Sequence, residues 1–530
     1  MALISNSMRL SILLCFVTSI TTFGQGLYVV KFRDKANSPF QISQPQSFLG
    51  PRSLERRMKQ QLAIRSIDLP VNPTYLAQIS SRGGKIIHTS RWLNAALIQT
   101  TQSQTLSQIL ALPFVLGLET QGDIRSGGKL ISTSENAVEL VNQNQSQLTQ
   151  LGIDQMLQEG ITGKGVLIGV FDSGFSRVNQ TEAFKPAFVE NRIAFTRDLV
   201  DSENDVYDDD SHGALVLSAI AANIPGAYSG TAPGAAYALF RTEDVASETK
   251  LEEWNWLVAA EIADSLGVDI INSSLGYSTF DTPAQNYVYA DLTGQKALIT
   301  RAANWAAGAG ILVVTSAGNE GRGSWRYITA PADADSVLAV GAVNTLGQLA
   351  SFSSIGPNAS GQIKPEIVAM GQSTVLVSPS NSILSSSGTS FSSPLIAGMA
   401  AGIWEKYPEL TAGQLRRLMM EAGSLAKTPN NQLGYGIPHW DRVREAAKKT
   451  IITQIETESI TDIRTWYESK FQSQLVETSI MNMSGQKLWT IEGVESHWLH
   501  VIDQIHQIGA PVFLEVKDEG SSARRKVFFP

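Results

Sequence analysis

The sequence is poor in cysteine, with a single one among its 530 residues. That residue, Cys15, lies within a short apolar run at residues 10–20. An apolar run of this length behind a basic residue, followed by small residues up to Gly24, is typical of a signal peptide. We therefore predict that residues 1–24 are removed. The mature protein would then have no disulfide and would depend on packing alone outside the cytoplasm.

Long apolar runs and a positive net charge are also absent from the sequence. No later run reaches the roughly 18 apolar residues of a transmembrane helix, so we predict no membrane span. The formal net charge of −8 argues against a nucleic-acid partner and suits a protein that meets its substrates in solution. A length of 530 residues is too great for one core and predicts three or four units.

A Ser- and Gly-rich stretch at residues 385–393 leads into a series of small apolar residues that ends near Trp404. Pro394 stands near the start of this series, and proline is tolerated at the beginning of a helix. The pattern predicts a buried helix with Ser390 at its N-terminus. Free N–H groups at that terminus would stabilise the oxyanion formed if Ser390 attacked a carbonyl. A serine-rich loop that merely caps a core helix would have the same pattern.

Two further stretches favour the catalytic interpretation. Residues 166–171 form an unbroken apolar run, typical of a buried parallel strand, and Asp172 follows at its carboxyl end. His212 opens another helix of small residues. An aspartate, a histidine and a serine in this order, each near a glycine and at the end of an element, can act as orienter, base and nucleophile.

These motifs resemble the subtilisin-like serine proteases (subtilases) over about residues 145–449. The resemblance implies an endopeptidase in which Asp172, His212 and Ser390 form the catalytic triad. No cofactor and no metal ion would be needed for that chemistry. Asn319, which follows an apolar strand, matches the family's asparagine that donates a hydrogen bond to the oxyanion. Outside such a chain, Asn319 and its neighbours would indicate only a turn.

The resemblance also implies a substrate site with protein or peptide substrates. The stretch Ser274-Leu275-Gly276 is similar to the family's substrate-pairing strand, whose backbone hydrogen-bonds an extended peptide. The residues just before the asparagine, Ser316-Ala317-Gly318, would line the same site.

Residues 25–125 are predicted to form a small separate domain. Strands at residues 27–32, 84–89, 95–99 and 114–119, with helices at 53–64 and 106–112, give the split ferredoxin-like order. This order resembles the inhibitor propeptide of subtilases; an unrelated surface domain is the alternative. Residues 26–123 contain eleven Lys or Arg against five Asp or Glu, so we expect this propeptide to bind the acidic remainder as its inhibitor.

The middle of the chain is predicted to be an α/β domain. Residues 126–147 are polar without periodicity, which indicates a linker where maturation cleavage would fall. Strands and helices then alternate over residues 148–449, which predicts a subtilisin-like parallel sheet sandwiched by helices. Besides the strand at 166–171, strands are predicted at residues 235–240, 268–272, 310–315 and 336–340, and helices at 251–266 and 300–309. The site is expected at the carboxyl ends of the strands.

An acidic run precedes His212 and contains Asp205, Asp208, Asp209 and Asp210. Several carboxylates together could bind a structural calcium ion, although the spacing is not that of an EF-hand. A solvated loop is the alternative. In either case the negative charge would favour the protonated form of His212.

Residues 450–530 are predicted to form a small β-sandwich domain, because strand-like pieces occur at residues 480–483, 488–491 and 512–516, with a turn at 484–486 between the first two. This unit resembles the C-terminal sorting domain of the Bacteroidetes type IX secretion system, although residues 509–513 lack its usual Gly-x-Tyr. The resemblance implies contact with the secretion machinery and a secreted or cell-surface location. A β-sandwich module that binds substrate or cell wall is the alternative.

The leading hypothesis is therefore a secreted serine endopeptidase made as a zymogen. A catalytically inactive surface adhesin on the same scaffold is a rival of another class, but it would not need all four polar groups. An esterase or a peptide ligase could use the same triad, although a substrate-pairing strand favours peptides.

Overall fold

The computed structural model describes residues 26–120, 124, 144–447, 476–482, 487–493, 512–518 and 524–529. The helices are α1 (Pro51–Lys59), α2 (Pro73–Ser81), α3 (Ser103–Leu110), α4 (Gln145–Leu151), α5 (Ile153–Gln158), α6 (Lys185–Val189), α7 (His212–Ala221), α8 (Lys250–Leu266), α9 (Leu298–Gly308), α10 (Thr389–Lys406) and α11 (Ala412–Glu421). In these ranges, no helix combines the length and the apolar character needed to cross a membrane.

Nineteen strands are described in the same ranges. They are β1 (Gly26–Phe32), β2 (Lys85–Ser90), β3 (Ala95–Thr100), β4 (Val115–Leu118), β5 (Leu167–Asp172), β6 (Ile193–Asp198), β7 (Asn223–Ile224), β8 (Tyr228–Ser229), β9 (Ala236–Arg241), β10 (Ile270–Ser273), β11 (Leu312–Ser316), β12 (Leu338–Val343), β13 (Ile367–Met370), β14 (Thr374–Val377), β15 (Ile383–Ser386), β16 (Val476–Asn482), β17 (Lys487–Gly493), β18 (Val512–Asp518) and β19 (Arg524–Phe529).

The N-terminal unit is a four-stranded antiparallel sheet in the order β2-β3-β1-β4. Two helices, α1 and α2, lie between β1 and β2, where the sequence predicts one. The predicted helix at residues 53–64 ends at Lys59 as α1. The helix that was missed, α2, begins with recognisable signals. Pro73 occupies its first turn, and the Asn72 side chain accepts a hydrogen bond from the Thr74 N–H.

The central unit contains a seven-stranded parallel sheet in the order β13-β12-β11-β10-β5-β9-β6. The predicted strands at residues 166–171, 235–240, 268–272, 310–315 and 336–340 correspond to β5, β9, β10, β11 and β12, with shifted ends. Every residue of β5, β10, β11 and β12 is buried. A strand covered on both faces needs apolar residues at every position, and this explains the unbroken runs.

Helices cover both faces of this sheet. Ile168 and Val170 of β5 pack in the core that contains α7 and α10, whereas Leu167 and Phe171 pack in the core that contains α8 and α9. Alternate residues of the strand therefore point to opposite helical layers. The predicted α/β sandwich is confirmed for this unit.

Helix α10 is almost wholly buried, and its small residues allow it to approach its neighbours closely. A Cβ atom at Gly398 would lie 1.8 Å from Thr231 Oγ1, and one at Gly402 would lie 2.0 Å from Met156 Cε. Position 398 therefore requires glycine, whereas a side chain at Gly402 would have to displace the flexible end of Met156. Helix α10 also contacts β10 and β11 of the sheet.

The N-terminal unit packs against α8 and α9 of the central unit. Its Trp92 and Leu97 belong to the same apolar core as Ala260 of α8 and Ala303 of α9. The sheet of the N-terminal unit thus completes the second helical layer. The predicted helix at residues 300–309 corresponds to α9 and the one at 251–266 to α8.

A buried charge cluster lies at this junction. Asp264 of α8 binds three arginines of the N-terminal unit: Arg56, Arg57 at 2.8 Å and Arg91 at 2.6 Å. The Asp264 side chain is fully buried and the three arginine side chains are nearly so. The basic N-terminal unit thus meets the acidic remainder of the chain through specific ion pairs.

The four C-terminal strands form one antiparallel sheet in the order β17-β16-β18-β19. The second sheet that a β-sandwich requires is not among the strands described there. The turn expected at residues 484–486 lies outside the described residues, as do residues 1–25 and most of the predicted linker.

Candidate active site

Asp172 and His212 form a hydrogen-bonded pair. Asp172 is the last residue of β5 and is fully buried, and His212 is the first residue of α7. The two side chains meet with Nδ1 of His212 2.7 Å from Oδ1 of Asp172. This contact requires a proton on Nδ1, which leaves Nε2 of a neutral His212 able to accept one.

Ser390 is the second residue of α10. Its hydroxyl donates a 3.3 Å hydrogen bond to the Ser274 carbonyl. The imidazole of His212 lies next to the first turn of α10, since its ring centroid is 5.8 Å from that of Phe391, the residue after Ser390. The structure thus brings Asp172 and His212 into direct contact and Ser390 into their neighbourhood. In this state the Ser390 hydroxyl is bonded to Ser274 and not to His212.

Pro394 has a consequence for the geometry around Ser390. It lies inside α10 rather than in its first turn, because the helix already begins at Thr389. Proline has no N–H, so the Ser390 carbonyl four residues earlier receives no bond from it. That carbonyl instead accepts a 2.9 Å hydrogen bond from the Ser274 hydroxyl. Two hydrogen bonds in opposite directions therefore tie Ser390 to Ser274.

The Asn319 side chain is held in one orientation by Thr389. Oδ1 of Asn319 accepts hydrogen bonds from the Thr389 N–H at 2.9 Å and from the Thr389 hydroxyl at 3.0 Å. With its oxygen engaged, the amide presents its two N–H donors away from Thr389. In the described part of the chain, Nδ2 of Asn319 has no acceptor. The side chain is exposed and can meet a ligand.

Two hydrogen-bond donors border the open space beside Gly388. A Cβ atom built on Gly388 would lie 3.7 Å from the Ser390 backbone nitrogen and 3.8 Å from Nδ2 of Asn319. Among the described residues, none accepts a hydrogen bond from the Ser390 N–H. Donors that converge on one space at a helix N-terminus are suited to bind an oxyanion.

The predicted substrate residues occupy adjoining loops at the same edge of the sheet. Ser274, Leu275 and Gly276 continue directly from β10, and burial falls along this stretch until Gly276 is exposed. Ser316 ends β11, and its hydroxyl donates to the Leu275 carbonyl at 3.3 Å.

Ala317 and Gly318 are buried next to this contact. Gly318 has a φ of +107°, and its N–H donates to the Thr389 hydroxyl at 3.2 Å. The two loops that bear the predicted substrate residues are thus linked to each other and to the first turn of α10.

Carboxylates dominate the electrostatics around His212. Burial of the imidazole is the largest single influence and lowers the pKa of His212, whereas the charge of Asp172 and its hydrogen bond raise it. Asp210 and Glu243 act in the same direction, so the net pKa lies above the usual value. The expectation that nearby acidic residues favour protonated His212 agrees with this direction. A pKa shift of this kind is common at catalytic sites.

Glu243 is a site-facing residue that the sequence did not indicate. It follows β9, accepts a hydrogen bond from the Tyr277 hydroxyl, and lies close enough to His212 to raise its pKa. Burial raises the pKa of Glu243 itself to about 8. Tyr277 directly follows Gly276, the last residue of the predicted substrate-pairing segment. The Glu243 carboxyl group therefore lies between the Asp172–His212 pair and the end of that segment.

Of the four acidic residues considered for calcium, Asp209 is engaged with an arginine. Of the described residues, one group of three carboxylates could hold a metal ion: Asp198, Asp201 and Asp209. Nη1 of Arg241 lies 2.7, 2.6 and 3.1 Å from these three groups. The guanidinium takes the position between the oxygens that a cation would need. This group therefore does not fit a calcium ion.

Sequence reasoning also missed Thr389 and Gly388. Both belong to the Ser- and Gly-rich stretch at residues 385–393, so their proximity to Ser390 was visible. What the sequence could not show is that Thr389 binds the side chain of Asn319, 70 residues away. Asn319 lies near the start of a different connection, the one that follows β11.

Comparison with known proteins agrees with this architecture. A family model described as "Subtilase family" matches residues 163–436, just over half of the chain. A second, described as "Peptidase S8 propeptide domain, Bacteroidota", matches residues 27–138. Subtilisin DY of Bacillus licheniformis is 34% identical over 278 residues, which cover 51% of this chain and 89% of that protein.

Subtilisin NAT of Bacillus subtilis subsp. natto is 30% identical over 342 residues, covering 64% of this chain and 77% of that protein. Among solved structures, MycP1 from the ESX-1 type VII secretion system covers 60% of this chain and 92% of its own, with 20% identity and a TM-score of 0.47. That structural likeness is too low to support an inference. The chain belongs to the Subtilase family, and it is a serine-type endopeptidase with a propeptide domain.

Gly388→Ala tests the space between the two donors. The added methyl group would occupy the position that both donors border, so we expect the turnover number to fall by at least about tenfold while the Michaelis constant changes little. Steady-state kinetics on a peptide substrate give both constants.

Gly413→Ala is a matched control, because a Cβ atom there has no neighbour within 4 Å. It should leave both constants unchanged. Full turnover in Gly388→Ala would show that no reacting group enters this space.

Proposed function

We propose that Ser390 is the nucleophile, His212 the general base and Asp172 its orienting partner in peptide-bond hydrolysis. The observation that carries this proposal is the convergence of three features at one sheet edge. These are the 2.7 Å pair of Asp172 with His212, Ser390 at a helix N-terminus, and the two donors beside Gly388. No cofactor takes part in these steps.

The proposed reaction begins with a rotation of the Ser390 hydroxyl. Its hydrogen bond to the Ser274 carbonyl is long, at 3.3 Å, and catalytic hydrogen bonds often tighten only when substrate binds. On turning towards His212, the hydroxyl gives its proton to Nε2 and its oxygen attacks the substrate carbonyl. His212 then returns the proton to the leaving amine. Asp172 stabilises the imidazolium that exists between these two transfers.

The negatively charged oxygen of the tetrahedral intermediate would lie beside Gly388. The Ser390 N–H and Nδ2 of Asn319 would both donate to it. Thr389 supports the proposal because it holds Oδ1 of Asn319 and thereby aims Nδ2 before the reaction starts. Donors that are already oriented need no reorganisation when charge develops.

The acyl half of the substrate would pair in extended form along Ser274, Leu275 and Gly276. The two hydrogen bonds between Ser274 and Ser390 support this placement, because they set the start of the substrate stretch next to the nucleophile. Ser316, Ala317 and Gly318 would line the opposite side, at the base of the pocket.

Ser390→Ala tests the nucleophile. The change removes one oxygen atom from a buried residue and should leave the fold intact, while peptide hydrolysis falls on the order of 10⁶-fold, as in subtilisin. Turnover of a peptide substrate and the thermal unfolding midpoint measure the two effects. Activity equal to that of the unmodified protein would exclude Ser390 as the nucleophile.

Asn319→Ala tests the oxyanion donor. The amide acts mainly on the transition state, and loss of such a donor from subtilisin costs on the order of 10²–10³ in turnover. We expect a loss of that size with little change in the Michaelis constant. A raised Michaelis constant with normal turnover would make Asn319 a residue of substrate binding.

We further propose that residues 25–125 act as an inhibitor and that the enzyme is made as a zymogen. The match to a propeptide domain and the ion pairs around Asp264 support this. Glu261 adds to the contact, because its carboxylate accepts hydrogen bonds from the backbone N–H groups of Arg91 and Trp92 at 2.8 and 3.0 Å. Cleavage in the linker, residues 126–147, would separate the two units.

Asp264→Asn in the mature enzyme tests this contact. The change leaves buried arginines without their carboxylate, and loss of one partner of such a pair costs about 2–5 kcal/mol. The inhibition constant of the separate N-terminal unit, residues 25–125, should therefore rise by about thirtyfold or more. Titration of peptide hydrolysis with that unit measures the constant.

Glu182→Gln removes an exposed carboxylate of the same domain and is the control. It should leave the inhibition constant unchanged. If Asp264→Asn behaves like this control, the charge cluster does not hold the inhibitor. Failure of the unit to inhibit the unmodified enzyme would reduce it to a folding aid or an unrelated module.

We propose as well that the protein is exported. The basic and apolar pattern of residues 1–24 supports a signal peptide, and the composition of residues 450–530 supports a sorting domain. The protein would then be secreted or held at the cell surface. Deletion of residues 450–530 should leave the peptidase inside the producing cell, and unchanged export of the deleted form would assign these residues another role.

A further inference from the structure

A closed ring of hydrogen bonds lies next to His212 and includes Asp210, which the proposed mechanism does not use. Oδ2 of Asp210 accepts the His212 backbone N–H at 2.9 Å and the Ser173 hydroxyl at 2.8 Å. The Ser173 hydroxyl also lies 3.3 Å from Oδ1 of Asp172, which binds Nδ1 of His212 at 2.7 Å. The ring therefore connects the orienting carboxylate, the base and a second carboxylate.

Ser173 can donate only one hydroxyl proton within this ring. The contact with Asp210 is the shorter of its two, so the proton is assigned to Asp210. The backbone N–H of Ser173 meanwhile donates to Oδ1 of Asp172 at 2.9 Å. Ser173 thus holds Asp172 through its backbone and Asp210 through its side chain. One residue sets the distance between the two carboxylates.

The backbone of this region is packed closely without help from the Asp210 side chain. A Cβ atom at Gly213 would lie 2.3 Å from the Gly174 carbonyl oxygen and 2.8 Å from Cβ of Asp172. The Ser176 N–H also donates to the backbone carbonyl of Asp210 at 3.1 Å. A change confined to the Asp210 carboxylate should therefore leave the two segments in contact.

Acidic groups face His212 from three elements. Asp172 ends β5, Asp210 precedes α7 and Glu243 follows β9, and the negatively charged form of each raises the pKa of the imidazole. Burial raises the pKa of Glu243 to about 8, so this residue is largely uncharged below that pH. Helix α10 contributes the uncharged ring of Phe391.

Asp209, the neighbour of Asp210, is paired with Arg241 at 3.1 Å. Within the described ranges, Asp210 has no such basic partner, because its side chain binds only the N–H and O–H groups of the ring. Arg241 also lies near the ring, since its Nε donates to the Ser173 carbonyl at 3.2 Å, but its ion pairs are with other carboxylates. The negative charge of Asp210 favours the protonated form of His212.

We propose that Asp210 is a positioning residue that fixes His212 against Asp172 and sets the lower limit of the pH range in which His212 can act as a base. This inference rests on the proposed function of His212. The imidazole must be neutral to accept the proton of Ser390. Because the carboxylates favour its protonated form, activity is lost at a higher pH than it would be beside Asp172 alone.

Asp210→Asn removes the charge of the Asp210 carboxylate and keeps the shape of the side chain. An asparagine oxygen can still accept from the His212 N–H, but the negative charge is gone. The pKa of His212 should fall, so the acid limb of kcat/KM should move to lower pH. At the pH where the unmodified enzyme has half its maximal kcat/KM, the variant should gain up to about twofold, and more at lower pH. Above the acid limb the two enzymes should agree.

Asp208→Asn is the matched control. Asp208 is an exposed carboxylate two residues away on the same loop, so its loss changes the net charge equally without touching the ring. Its acid limb should coincide with that of the unmodified enzyme at the same ionic strength. An equal shift in both variants would assign the effect to the general field of the loop and overturn the proposal.

Asp210→Ala tests positioning. It removes the acceptor for both the His212 N–H and the Ser173 hydroxyl, so turnover should fall about tenfold or more below that of Asp210→Asn, with the Michaelis constant unchanged. Equal turnover in the two variants, each with a native unfolding midpoint, would overturn the positioning role.

The outcomes separate this inference from the function on which it rests. If His212→Ala keeps normal turnover, His212 is not the base and the proposed function fails. If His212→Ala is inactive but Asp210→Asn keeps the acid limb of the unmodified enzyme, the proposed function stands and the role of Asp210 is wrong.

Discussion

The packing of α10 is the constraint on which the site depends. Gly398 lets the helix lie against Thr231 at a distance that no side chain would allow. Helix α10 also packs on β10 and β11, and hydrogen bonds tie its first turn to the segments that follow these strands, Ser390 to Ser274 and Thr389 to Asn319. Residues from separate connections thus converge at the N-terminus of one helix.

Buried charge is used in two different ways in this chain. Asp264 is surrounded by arginines of the N-terminal unit and remains so only while that unit is bound. Asp172 is buried within the central unit itself, and Oδ2 of its carboxylate has no hydrogen-bond partner among the described residues. A carboxylate that cannot be hydrated favours the protonated form of His212. The ion pairs of Asp264 are lost if the N-terminal unit leaves, whereas the burial of Asp172 does not depend on that unit.

The strands and the buried helix were predictable because burial on both faces leaves a direct pattern in the sequence. The run that ends at Asp172 is an example, and α10 is another. Contacts between distant segments leave no such pattern. Neither the bond from Thr389 to Asn319 nor the position of Arg241 among three carboxylates follows from spacing. Helix α2 was missed for a simpler reason, since the proline at its start was not used as a signal.

Covalent labelling tests the central claim most directly. A fluorophosphonate reacts with a serine only where a neighbouring base and oxyanion donors activate it. We predict that one equivalent attaches to the mature enzyme, that peptide mapping by mass spectrometry places it on Ser390, and that labelling stops when the N-terminal unit is added. Attachment at a different serine, or none to an enzyme that still hydrolyses peptides, would contradict this account of the site.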